Sequence, residues 1–272
     1  MQKSNSIKIF SIGLWLLWIP INTIFSQSHS PAELYMQLGD GFQNHSLPDS
    51  AVLYYKKAAE EFKNLGETEK LINAYNQIGV VLTRQDRYEE ARMYLGMAEV
   101  QGKSLPDSNH LLRAKTFITL GVVYSSMGDY KGSLAYHHRA LAIRLLKLGE
   151  FHADVATSYG NIGNVYINKK DYEAAIEAHL KAKEIREKLF GENSVEIAQS
   201  YYNLGIAYRE TKEYETSLDY FQKALRNKTA QLGPGHKDLA KYYTAISGVY
   251  NLMGNVEQSE LYKGKAEEVL KE

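Results

Sequence analysis

The chain has 272 residues with equal numbers of basic and acidic side chains, 32 of each, and it has no cysteine and only five prolines. This composition excludes a disulfide-stabilised scaffold, a cysteine-ligated zinc site and a thiol nucleophile, because each of these needs cysteine. A net charge of zero gives no sign of the basic surface with which proteins bind nucleic acid, so no nucleic-acid partner is predicted.

The first thirty residues have the pattern of an export signal. Two lysines precede an apolar run from Ile9 to Phe25, and the small residues Ser26 and Ser28 follow. A charged start, an apolar stretch and a small-residue exit make up a secretory signal peptide, predicted here at 1–26. The alternative is an uncleaved N-terminal membrane anchor, although the run is short for a bilayer span. We therefore expect an exported bacterial protein, periplasmic or extracellular, with membrane anchoring as the alternative.

From residue 31 onward the sequence repeats with a period of 42 residues. One column of the repeat holds Gly79, Gly121, Gly163, Gly205 and Ser247. An invariant column holds Ala98, Ala140, Ala182, Ala224 and Ala266. An earlier copy lies 40 residues upstream, with Gly39 and Ala58 in the matching places. The chain therefore consists of six similar units.

Within each copy the spacing is helical. Tyr75, Ile78, Gly79 and Leu82 fall at i, i+3, i+4 and i+7, which is one face of an α-helix, and a second stripe of the same kind follows within 88–98. A short polar turn separates the two stripes. Each copy is therefore predicted to be an antiparallel helix pair, and the pairs must stack because a lone pair leaves one apolar face bare.

These motifs resemble a tetratricopeptide-repeat (TPR) array, and the 42-residue period resembles the variant found in kinesin light chains. The residues that carry the resemblance are the turns 148–152 and 232–236, the first-helix segments 161–163 and 203–205, and the second-helix segment 182–188. The resemblance implies an all-α fold, a right-handed α-solenoid of about six TPR helix pairs within 31–271. The implied repeats are about 31–66, 67–106, 107–149, 150–191, 192–233 and 234–271.

No motif for catalysis, a metal ion or a cofactor stands out, so the protein is predicted not to be an enzyme and to have no catalytic residue, metal site or cofactor. His110, His152 and His236 share one column, but equivalent positions in stacked repeats lie too far apart to ligate one ion. We interpret them as turn and cap residues. His137 and His179 share another column on the inner side of the second helix, and we interpret them as packing residues.

In the family the first helices line the concave surface, so the face that runs through positions 73, 76, 80 and 83 and their copies is the candidate binding surface. These twenty positions hold three cations and no acid. The predicted partner-binding residues are Asn73, Asn76, Lys115, Asn164, Gln199, Tyr202, Arg209, Lys241 and Asn251. The amides can hydrogen-bond the backbone of an extended peptide and Tyr202 offers an apolar contact. The alternative is a solvated face without a ligand.

The predicted function is that of a non-catalytic scaffold that binds an extended, mildly acidic protein segment in its concave groove. The lysine–asparagine clamp with which some family members grip a chaperone's terminal carboxylate is absent from the first helices. The alternative function is an extracytoplasmic sensory module of a bacterial signalling system, detached or truncated. The membrane is a partner only if the N-terminal segment is retained, and self-association through the end repeats is left open.

Overall fold

A computed structural model of the protein describes residues 30–105 and 111–271. The predicted signal at 1–26 lies outside the described residues. Within them the chain is all-α, with twelve α-helices in six antiparallel pairs. The helices are α1 (Pro31–Asn44), α2 (Pro48–Leu65), α3 (Thr68–Arg84), α4 (Tyr88–Gly102), α5 (Leu111–Ser126), α6 (Tyr130–Leu148), α7 (Ala153–Lys169), α8 (Tyr172–Phe190), α9 (Ala198–Glu210), α10 (Tyr214–Leu232), α11 (Ala240–Leu252) and α12 (Val256–Glu268). Short 3-10 turns at Val195–Ile197 and Lys237–Leu239 precede α9 and α11.

The pairs stack in chain order. Each helix packs mainly against its partner within the pair, and the second helix of a pair packs against the first helix of the next. The first helices also touch one another across repeats, as α3 and α5 do. The result is a right-handed α-solenoid of six helix pairs, which confirms the predicted fold class.

Glycine permits the sharp turns between the later repeats. The long second helices α6, α8 and α10 each end at a glycine, namely Gly149, Gly191 and Gly233, with φ of 80°, 84° and 86° and an extended ψ. This backbone region is open almost only to glycine. The next repeat therefore starts in a defined direction after each long helix.

The histidines of the inter-repeat turns cap the following helices. The Nδ1 atom of His152 accepts a hydrogen bond from the backbone N–H of Asp154 at 3.1 Å, and the Nδ1 atom of His236 accepts one from the backbone N–H of Asp238 at 3.2 Å. An acceptor at this place satisfies a donor that the first turn of a helix leaves free. The interpretation of these two residues as caps is confirmed, whereas His110 lies outside the described residues.

A glycine of each first helix, except in the last repeat, lies directly under a large side chain of the second helix. The side chains above this column are Tyr55, Leu95, His137, His179 and Phe221. A Cβ added at Gly163 would lie 2.6 Å from the imidazole of His179, and one added at Gly205 would lie 2.7 Å from the ring of Phe221. The glycine column therefore allows the two helices to approach closely. His137 and His179 are 2% and 0% exposed, so their role as packing residues is confirmed.

The last repeat presents a polar outer face. In the fifth repeat Leu218 and Leu225 pack against α11 of the sixth. The equivalent positions of α12, 42 residues later, are the exposed Glu260 and Glu267. Two carboxylates on this face do not favour apolar docking of a second copy there. Self-association stays a prediction.

Candidate functional site

The first helices bring the predicted binding columns side by side. Lys115 Nζ on α5 donates a hydrogen bond to Asn73 Oδ1 on α3 at 3.2 Å, across 42 residues of sequence. Asn203 Nδ2 on α9 donates to Asn164 Oδ1 on α7 at 2.8 Å, and Gln199 Nε2 donates to Asn203 Oδ1 at 2.8 Å. The Lys115–Asn73 and Asn203–Asn164 bonds join neighbouring repeats, whereas the Gln199–Asn203 bond lies within α9. The side chains of Asn73, Lys115, Asn164 and Gln199 are therefore held by hydrogen bonds on the concave face.

The predicted binding residues differ in how far solvent reaches them. The exposed ones are Lys115, Asn164, Gln199, Lys241 and Asn251. The partly buried ones are Asn73, Tyr202 and Arg209. Asn76 is 0% exposed.

Asn76 is therefore not a contact residue in this structure, and that part of the sequence prediction is wrong. Its side-chain oxygen and nitrogen are both buried, and neither has a hydrogen-bond partner among the described residues. The helical period gives the direction of a side chain, but it does not say how closely neighbouring helices pack over it. The first helix of the third repeat also packs against α3, since α3 and α5 are in contact.

Burial of an unpaired amide lowers stability, so Asn76→Ile is expected to raise the free energy of unfolding by about 1 kcal/mol. Isoleucine is the residue of the same column in the next repeat, Ile118. Urea unfolding measures the effect. The control is Asn164→Ile at an exposed position of α7, which should not raise the free energy of unfolding. A loss of stability in Asn76→Ile would show that the amide is paired in solution.

Tyr202 packs against neighbouring helices and also forms part of the groove surface. Its ring makes edge-to-face contacts with Phe221 and Tyr242, at centroid distances of 5.4 and 5.2 Å. Lys241 Nζ lies 5.2 Å from the centroid of the Tyr202 ring, within reach of a cation–π interaction. Burial raises the pKa of Tyr202, so its hydroxyl stays protonated at neutral pH. Tyr202 thus joins the fifth and sixth repeats and leaves only part of its surface for a partner.

The cations of the face have different surroundings. The guanidinium of Arg209 pairs with the carboxylate of the adjacent Glu210 at 2.7 Å, which offsets its charge. Although Lys115 is exposed as a whole residue, desolvation of its ammonium group by the surrounding protein lowers its pKa, while the carboxylate of Asp40 acts in the opposite direction. Lys241 has no acidic partner among the described ion pairs and is exposed. The free positive charge of the predicted columns is therefore strongest toward the last repeat.

The first repeat adds acidic groups that the prediction did not include. Glu33 and Asp40 occupy the columns of Asn73 and Val80, one copy upstream. Glu33 pairs with Lys70 at 2.8 Å. The depression at this end has a volume of about 390 Å³ and is lined by Glu33, Met36, Gln37, Asp40, Phe62, Lys70 and Asn73. Both acids could have been identified from the sequence by extending the same columns one repeat upstream, with the offset of 40 residues. Within the predicted columns the acids therefore lie in the first repeat, where Lys70 offsets the charge of Glu33, and the unpaired Lys241 lies in the last repeat.

The described residues show no cluster of three or more histidine, aspartate or glutamate side chains suited to hold a metal ion. Within the same part of the chain, no helix combines the length and the apolar character needed to cross a bilayer.

A family model described as "Tetratricopeptide repeat" matches residues 70–145 and 154–230. The chain belongs to the tetratricopeptide-repeat family. The match covers more than half of the sequence and includes the second to fifth repeats. Proteins with this fold generally act as non-catalytic scaffolds that bind protein or peptide partners.

Solved TPR structures share the fold at low sequence identity. BtubC (BKLC) from P. vanneervenii is 19% identical, with a TM-score of 0.72 over 81% of this chain and 89% of that chain. A kinesin-light-chain-like protein from Podosopora anserina with nearly identical TPR-like repeats is 15% identical, with a TM-score of 0.65 over 75% of this chain and 96% of that one.

A signal transduction ATPase with a TPR sensor from Pyrococcus horikoshii is 18% identical, with a TM-score of 0.71 over 92% of this chain and 38% of that chain. At these identities the likeness is one of fold. No curated protein matches the chain.

Proposed function

We propose that this protein is a non-catalytic TPR scaffold that binds an extended protein segment in its concave groove, outside the cytoplasm. The observation that carries the proposal is the row of polar groups along the first helices, joined from repeat to repeat by the bonds Lys115–Asn73 and Asn203–Asn164. Groups already held in place lose little entropy when they bind, which favours recognition of an extended backbone. The sensory alternative stays a prediction that no contact in the structure favours.

The charge gradient of the groove supports a direction for the bound segment. The first repeat contributes Asp40 and Glu33, the latter offset by Lys70, whereas the last repeat contributes the unpaired Lys241. Complementary potentials select partners and set their orientation. The acidic end of the segment is therefore expected over the C-terminal repeats, and any basic end over the first repeat.

Reversal of the groove's exposed charges tests this function. Lys115→Glu combined with Lys241→Glu is expected to weaken partner capture from an envelope extract by about tenfold or more, because two attractive contacts with an acidic segment become repulsive. Capture is measured by pulldown with the purified protein as bait and quantitative mass spectrometry. Tyr202 is left unchanged because its replacement would also loosen the contact between the fifth and sixth repeats.

The matched control carries Lys181→Glu and Lys263→Glu, which reverse two exposed charges on second helices. The control has the same net charge as the groove variant, so a general charge effect would weaken both equally. A partner that both variants hold as well as the unmodified protein would place the binding surface elsewhere and contradict the proposal.

A further inference from the structure

The outer side of the second helix α4 carries an exposed apolar stripe. Met93, Met97 and Val100 are 48%, 41% and 60% exposed, and they fall at i, i+4 and i+7 of one helical face. Gly96 lies at i+3 of the same face. This face is opposite to the buried side of α4, which packs inside the repeat array. We call Met93, Gly96, Met97 and Val100 the α4 stripe.

Two columns of the stripe are mostly charged in the other repeats. The column of Met97 is basic in all of them, with Lys57, Arg139, Lys181, Lys223 and Lys265. The column of Val100 holds Glu60, Ala142, Glu184, Arg226 and Glu268. Single exposed apolar residues are common on soluble proteins, whereas several in helical register on one helix are typical of an interaction surface. The second repeat is therefore the exception that needs a physical reason.

Gly96 leaves a depression in the middle of the stripe. A Cβ added at Gly96 would meet no described atom within 4 Å beyond its chain neighbours and the backbone of its own helix. The depression has a volume of about 420 Å³ and is lined by Lys63, Tyr75, Gly96, Met97, Val100 and Gln101. Methionine is unbranched and flexible, and it fills irregular apolar gaps of this kind. The stripe thus presents both a projecting methionine and a space that accepts one.

The α4 stripe is complementary to a second copy of itself. When two α4 helices lie antiparallel about a twofold axis between positions 96 and 97, Met97 of each chain faces Gly96 of the other, and Met93 faces Val100. A twofold contact of this kind uses the same surface on both chains. The missing side chain of Gly96 lets the two helices approach closely. A parallel arrangement would instead place Met97 against Met97 and leave both depressions unfilled.

The charges at the two ends of the stripe also favour the antiparallel arrangement. Residues 86–92, at the start of α4, hold three acids and two arginines, so one negative charge remains there. At the other end Lys63 and Lys103 are exposed, and the nearby acid Glu99 is paired with Arg139 at 2.8 Å. An antiparallel second copy brings the negative end of each stripe beside the two lysines of the other chain.

We infer that the protein forms a twofold dimer through the α4 stripe, with a second copy of this chain as the partner. The stripe lies on a second helix, whereas the proposed groove lies on the first helices, so this inference does not depend on the proposed function. The contact leaves the first-helix faces of both copies free. A partner that carries two binding segments would be held more tightly by the dimer, because the second segment binds within an already formed complex.

Sedimentation velocity of the purified protein over a range of concentrations measures the association. We expect a monomer–dimer equilibrium in which Met93→Lys raises the Kd of the dimer by about tenfold or more, because the symmetric contact then receives two cations in place of two apolar side chains. The matched control is Leu261→Lys, which lies in the same column on α12 with the same exposed fraction of 48% and should leave the Kd unchanged. A protein that stays monomeric up to about 1 mM, or an equal effect of both variants, would overturn the inference.

Met97→Lys is a second variant that the fold is expected to tolerate, since a basic residue is native to this column in every other repeat. It should also weaken the dimer by about tenfold or more, and circular dichroism checks that it remains helical. Vesicles of phosphatidylethanolamine and phosphatidylglycerol test a membrane as the other occupant of the stripe. A monomeric protein that binds these vesicles, and loses this binding in Met97→Lys, would assign the stripe to a membrane surface and contradict the dimer.

Single cysteines test the antiparallel arrangement, because the chain has no cysteine of its own. Met97→Cys lies next to the twofold axis and is expected to form a disulfide between the two copies under mild oxidation. Ser104→Cys lies about 11 Å along the helix from the axis, so its two copies are about 22 Å apart, beyond the reach of a disulfide. Equal cross-linking at the two positions would contradict the antiparallel contact.

Discussion

Gly163→Ala is expected to destabilise the protein by about 2–3 kcal/mol, whereas Gly160→Ala in the same helix is expected to stabilise it by up to about 1 kcal/mol. The added Cβ at Gly163 would lie 2.6 Å from the imidazole of His179, which is fully buried. The added Cβ at Gly160 meets only Arg186, at 3.9 Å. At Gly160 the usual gain in helix propensity from glycine to alanine therefore remains.

Urea unfolding followed by circular dichroism measures both variants on the same protein background. The two substitutions add the same methyl group to α7, so the difference between them isolates the effect of helix packing from the effect of helix propensity. Equal stabilities would mean that the second helix can shift away from Gly163 at little cost. That result would contradict the close helix approach described here.

A fall in pH from 7 to 5 is expected to remove about 2 kcal/mol of stability for each of His137 and His179. Burial lowers the pKa of both imidazoles from 6.5 to about 4, and the neighbouring side chains His138 and Arg186 act in the same direction on His137 and His179 respectively. Between these two values the unfolded chain binds a proton that the folded chain does not. The contribution of these two neutral imidazoles to stability is therefore fully present above pH 6.5 and falls as the pH drops toward 4.

The variant His137→Leu/His179→Leu is expected to lose this part of the pH dependence. Leucine is the native residue of the same column in the second repeat, where Leu95 covers Gly79. The free energy of unfolding is measured in urea at pH 7 and pH 5, with His45→Gln, at an exposed histidine, as the control. If the double leucine variant loses as much stability as the unmodified protein between the two pH values, the buried imidazoles are not the cause.

Repetition made most of the fold predictable. Five copies in one register show which positions are always small and which are always aromatic, and the spacing within each copy shows that both stripes are helical. The roles of His152 as a cap and of His179 as a packing residue followed from their columns, because equivalent positions in stacked repeats have similar surroundings. These features depend on local geometry that each repeat reproduces.

The binding face was less predictable because it depends on distances between repeats. The period placed Asn76 on the predicted binding side of its helix, yet its side chain is 0% exposed in the stacked repeats. The acids of the first repeat, Glu33 and Asp40, fall in the binding columns when the 40-residue offset is applied, but the predicted face began at residue 73.

The sequence alone determined the repeat, the helix pairs and the glycine packing, since these follow from residue type and helical period. The tertiary structure decided which groups of the groove are buried, paired or free, since stacking sets how closely the helices approach.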